Sequence, residues 1–161
     1  MEHQHAGAMS HSSGGHYRKF ALMIGLSFVA MYLLMYAMIN SANNFFNNVN
    51  QFYMAGLMVA AMLIIELVVM FAMYPNKRLN GILIVAGFVL LGVFWVFTRR
   101  QVGVGDKQFL RSMIPHHAGA ILMCNQAPLK DAEIRQLCQG ILASQQHEID
   151  QMKAILRRLG S

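Results

Sequence analysis

The sequence predicts an all-α protein in which three transmembrane helices are followed by an antiparallel helical hairpin. Three observations carry that prediction. The 161 residues are 56% apolar and only 12% charged, far from the balance of a water-soluble chain. Between Lys19 and Lys77 the one ionisable carboxylate or base is Glu66. From Arg99 onward the composition returns to that of an ordinary soluble sequence.

Residues 1–19 form a tail in which His3, His5, Met9, His11 and His16 stand among glycines and serines. Such a segment has too few apolar side chains to build a core, so it is expected to be flexible and suited to loose metal capture. Residues 20–98 form the membrane region, with spans from Phe20 to Ile39, Tyr53 to Tyr74 and Gly81 to Phe97. A helix of twenty residues rises about 30 Å, the thickness of the hydrocarbon layer. None of the three has the polar face a soluble bundle requires. The asparagine-rich stretch from Asn40 to Gln51 is read as a loop with Phe45 and Phe46 as interfacial anchors, and Pro75 to Gly81 as a tight polar turn.

Residues 99–105 make a linker to the hairpin of residues 106–161. Its first helix is expected from Asp106, as N-cap, to about Gln126, with Pro115 kinking it or displacing its start. Pro128 closes that helix. The second is expected from Asp131 to Leu159, with Asp131 and Glu133 in its first turn and Arg157 and Arg158 in its last, matching the helix dipole.

The net charge of +6 does not point to nucleic acid, because Arg18, Lys19, Lys77, Arg78, Arg99 and Arg100 all flank apolar runs, where membrane proteins keep anchoring charges. The bilayer is the expected partner. Lys and Arg balance across the two sides, and the uncharged first loop favours a cytoplasmic N-terminus with the hairpin outside the cytoplasm. Cys124 and Cys138 lack a C-x-x-C spacing and are too few for a disulfide framework. Their default reading is as buried free thiols, with a thiolate contribution to a metal as the alternative. No nucleophile with a base and orienting acid, no phosphate loop and no spaced carboxylate pair is recognisable, so no enzyme is expected.

The strongest chemical signal is MIPHHAGAILM, in which Met113, His116 or His117, Ala120 and Met123 recur at helical spacings of three and four, on what is read as one face. Thioether sulfur with imidazole nitrogen suits copper, particularly Cu(I), and suits magnesium or calcium poorly. The second helix offers Gln145, Glu148 and Met152 with His147 beside them, and folding at Pro128 brings that end toward Met113. The bland alternative is that Met113, Met123 and Met152 only fill a core.

The pattern Asp106, Phe109, Met113, His116, His117, Ala120, Met123, then Ile141, Gln145, Glu148, Ile149 and Met152 resembles the domain-of-unknown-function family numbered 305, over Asp106 to about Leu156. The resemblance implies a ferritin-like four-helix bundle, copper binding and a periplasmic setting, hence a bacterial inner membrane. One hairpin supplies only two of four helices. Either a partner subunit in a homo-oligomer supplies the second hairpin, or the membrane helices support the first.

A second constellation lies within the spans: Met54, Met58, Met62, Glu66 and Met70 follow at intervals of four, with Met31, Met35 and Met38 on the first span. A glutamate at membrane depth is a functional candidate by default. The M-x-x-x-M spacing is similar to that of Ctr-type copper importers, although Gly87 and Gly92 do not form their G-x-x-x-G. Three functions are compatible with these features: a membrane-anchored copper binder for tolerance, storage or delivery; a homo-oligomeric copper channel; and a structural oligomerisation module.

Overall fold

The structure, a computed structural model, describes residues 12 to 160. It is all-helical, with five α-helices and no strand among the described residues. Helix α1, Ser12–Leu34, passes into a 3-10 turn at Met35–Met38, and a second 3-10 turn, Ala42–Asn44, precedes α2, Val49–Val69. Then follow α3, Lys77–Arg100, α4, Asp106–Gln126, and α5, Ala132–Arg158. Three segments, Gly15–Met38, Val49–Val69 and Lys77–Arg100, are long and apolar enough to cross a membrane, with mean hydropathies of 2.0, 2.3 and 2.5.

Each membrane-length helix begins earlier than its apolar run, and in two cases the reason is an asparagine cap. Asn48 accepts from the Gln51 backbone N–H at 2.9 Å and starts α2 inside the supposed loop. Asn76 likewise accepts from Leu79 N–H at 3.0 Å and starts α3 within the supposed turn. A side-chain oxygen at the N-cap satisfies a backbone donor that the helix leaves unpaired. Helix α1 reaches back to Ser12, so residues 12–19 belong to a helix and not to a flexible tail. Extending an existing helix is far easier than nucleating one, and Tyr17 is anchored by its hydroxyl, which donates to Asn80 Oδ1 at 2.7 Å.

The chain divides into two compact units. One comprises α1 as far as Met31 together with Tyr53–Arg100. In it α2 and α3 pack closely: a Cβ on Gly56 would lie 2.6 Å from the Phe94 ring, and one on Gly87 would lie 2.7 Å from Ile64. Small residues permit this approach where burial from lipid supplies no driving force. Phe20, Leu67 and Tyr74 form a buried cluster, with Met23 and Met70 against it. Leu26, Val85 and Trp95 are exposed, the surface a bilayer would cover.

The other unit comprises Tyr32–Phe52 and the chain from Gln101 onward. Its core joins Leu110, Ile114, Ala118 and Ile121 of α4 to Ile149, Met152 and Leu156 of α5. The segment after α1 folds onto this core through Ile39 and Phe46. Phe46 is thus a packing residue of the hairpin core, and its carbonyl accepts from the Tyr36 hydroxyl at 2.8 Å. Phe45 is exposed, with its ring 4.1 Å from that of Tyr36.

Two expectations for α4 need correction. Its N-cap is Gly105, with Asp106 as the first helical residue. A carboxylate there still complements the helix dipole. Pro115 does not displace the start of the helix, which continues through it from Asp106 to Gln126. The lost backbone donor is outweighed by burial on both sides, because Leu110 and Ile114 before it and Ala118 and Ile121 after it share one core.

Candidate metal-binding hairpin

The site is built on the contact between α4 and α5. Asp131 starts α5 by accepting from the backbone N–H groups of Glu133 and Ile134, at 2.9 and 3.0 Å. At the same end of the hairpin Cys124 and Cys138 form a disulfide, with their Cα atoms 5.4 Å apart. This corrects the reading of them as free thiols. Neither cysteine is fully buried; both look across from facing helices into the cleft beside the turn. A hairpin with one cysteine near the turn on each helix is the signal that could have found the pair, but sequence alone does not fix the register of the two helices.

Further along the hairpin, α4 places His117 against α5. The imidazole is 7% exposed, with Nδ1 lying 2.9 Å from the Met113 carbonyl oxygen and Nε2 lying 2.6 Å from Glu148 Oε2. The carbonyl can only accept, so Nδ1 carries the hydrogen and donates it. Nε2 is the nitrogen turned toward α5, and its contact with the Glu148 carboxylate oxygen needs a hydrogen between them, which a metal ion at Nε2 would have to replace. Fixing one ring nitrogen on a backbone carbonyl is how a metal-ligating histidine is oriented and its tautomer chosen. Glu148 meets it from α5 with its side chain about half exposed.

The structure brings together some of the sequence-predicted residues and separates others. Met113, half-buried, and Met152, buried, both contribute to the hairpin core that flanks this pair. His116 and Met123 do not share that face: both are exposed, and Met123 is 54% accessible. A spacing of seven keeps His116 with Met123, whereas a spacing of four keeps Met113 with His117, so one apparent stripe is two. His147 is exposed beside Glu148. Among the described residues, no group of three or more His, Cys, Asp or Glu side chains comes together. As they stand, Nε2 and the carboxylate oxygen are too close to admit an ion between them. The half-exposed Glu148 side chain has room to turn aside, and imidazole with the thioether of Met113 one helical turn away is a donor set fit for Cu(I).

The membrane stripe is similarly divided. Met54 and Met58 are exposed, while Met62, Glu66 and Met70 are half-buried. Glu66 accepts a hydrogen bond from the Tyr74 hydroxyl at 3.5 Å. On the first span Met31 and Met35 are half-buried and Met38 is exposed. Of the tail residues, His16 lies exposed on α1, and His3, His5, Met9 and His11 lie outside the described residues.

Residues 98–159 match the family model for a domain of unknown function, DUF305. The chain is also 36% identical over 138 residues to an uncharacterized protein of Acanthamoeba polyphaga mimivirus, covering 84% of this chain and 89% of that one. No solved structure matches it. The chain belongs to the DUF305 family, and the hairpin that pairs His117 with Glu148 is its DUF305 domain.

Proposed function

We propose that this protein is a membrane-anchored copper binder, serving tolerance, storage or delivery of Cu(I), and not an enzyme. The observation that carries the reading is the orientation of His117: Nδ1 is committed to the Met113 carbonyl and Nε2 is directed at the α4–α5 seam, beside Glu148. When bound there, Cu(I) would take its nitrogen ligand from His117 and a thioether from Met113, with Met152 as the neighbouring sulfur on α5. The three apolar helices would hold the chain in a bilayer. The disulfide favours an oxidising compartment for the hairpin, in keeping with a location outside the cytoplasm.

The exposed face of α4 supports a homo-oligomer. Phe109, His116 and Met123 all lie outward, a face of the kind one hairpin of a four-helix bundle offers another. A second copy seated there would bring His116 and Met123 into a shared layer. The channel reading keeps one observation, the half-buried Glu66 with its Tyr74 partner. The test of the main reading is Cu(I) affinity by competition with a chromogenic chelator in detergent. His117→Ala is expected to weaken binding at least about tenfold while helicity is retained. Unchanged affinity would remove the site.

A further inference from the structure

The hairpin carries a second pair of soft donors that the His117 site does not use. Cys124 on α4 and Cys138 on α5 face each other across the turn and are joined in the structure. They border a shallow, open cleft of about 240 Å³, also lined by Leu129, Arg135, Gln139 and Leu142. Two features separate this disulfide from one sealed in a core. Both cysteines are half-buried, so a small thiol can reach them through the cleft. Arg135 lines the same cleft, and a cationic side chain within reach favours the thiolate form that exchange and metal binding require.

We propose that Cys124 and Cys138 form a redox-gated dithiol site for a thiophilic monovalent cation, Cu(I) being the chemical type, which is closed as the disulfide and open after reduction. The gating step balances simply. Two molecules of a thiol reductant, or one dithiol, are oxidised to their disulfide; the two electrons and two protons released convert the Cys124–Cys138 bond to two thiols. A soft cation then displaces both protons and is held by two thiolate sulfurs. A metal bonded to two sulfurs at about 2.3 Å each separates them by at most about 4.6 Å. Side-chain rotation on helices whose Cα atoms are already 5.4 Å apart spans that distance without moving the backbone. Leu129 and Leu142 give the cleft an apolar lining, and it offers no carboxylate, which disfavours hard cations.

The position adds a directional element. Cys124 lies seven residues after His117 on α4, roughly 10 Å along the helix axis, so the two sites are neighbours on one hairpin but share no ligand. A cation at the dithiol therefore needs nothing from His117, and the test keeps the two sites apart. Full-length protein in detergent is prepared oxidised, or reduced with dithiothreitol that is then removed without air, in the wild-type and the His117→Ala backgrounds. Cu(I) is titrated against a chromogenic chelator, with free thiols counted in parallel. The expected result is two thiols released on mild reduction and one additional equivalent of Cu(I) bound by reduced protein in both backgrounds, with an ultraviolet thiolate-to-copper absorption. The gain is lost in Cys124→Ser/Cys138→Ser. Equal copper stoichiometry in the two redox states overturns the proposal, as does extra copper retained by the double serine variant. A disulfide that resists dithiothreitol in the folded protein, or helicity lost on its reduction, also overturns it by showing a purely structural cross-link.

Discussion

Glu148 and Ile149 are adjacent on α5, yet they face different physics. The Glu148 carboxylate is about half exposed where it meets His117, so solvent screens the pair and its contribution to stability is small. Glu148→Gln is expected to shift hairpin stability by less than about 1 kcal/mol. Ile149 is fully buried between α4 and α5, and truncation leaves a cavity that rigid neighbours fill poorly. Ile149→Ala is expected to cost about 2–5 kcal/mol. Thermal melts of the two variants followed by circular dichroism in detergent check the contrast; similar losses would mean that the His117–Glu148 contact holds the hairpin as strongly as the apolar seam does. The sequence pointed to both His116 and His117 without separating them. Which of two consecutive histidines turns inward depends on the rotational setting of α4 against α5, and that setting is fixed by Leu110, Ile114 and Ile121, not by the histidines themselves.

At the scale of elements, the apolar runs reveal the existence of each span, because a water-soluble helix of bilayer length needs charges on its outer face and these have almost none. Their ends are less visible. Asn48 and Asn76 cap helices from within stretches whose many asparagines read as loop, and nothing local distinguishes the capping asparagine from its neighbours. Asp131 marks the start of α5 within one residue, but as its N-cap and not as a member of the first turn, where the sequence places it. Its two backbone hydrogen bonds give a direct expectation: Asp131→Ala destabilises the hairpin by about 1 kcal/mol, while Asp131→Asn retains most of the stability. Chemical denaturation monitored by helicity reads the difference. Pro115 shows the converse case, in which a strong local breaker is overruled by a core that the linear sequence does not display.

For the molecule as a whole, the unsatisfied surface is the main guide. One hairpin buries too little apolar area to stand as a four-helix unit, and the outward side of α4 keeps Phe109 and Met123 exposed. Mass measurement in detergent is expected to give a homo-oligomer; monomer at every concentration would count against it. Glu66 separates the anchored-binder reading from conduction. In vesicles, Glu66→Gln is expected to leave copper binding by the hairpin intact, and if the spans conduct, to reduce copper flux severalfold. Absence of flux in both forms would leave the anchored binder alone.

The Tyr17 hydroxyl, bonded to Asn80 at the start of α3, has a consequence for how the chain enters a bilayer. With Phe20 and Tyr74 in contact beside it, the first turns of α1 are tied to the segment that joins α2 to α3. Each of these contacts would break if α1 alone reversed its direction. The phenol therefore favours a shared orientation of the three helices, by the roughly 1 kcal/mol that one such hydrogen bond contributes. Tyr17→Phe, which removes the bond, is expected to make α1 easier to reorient when an arginine is added at one of its ends.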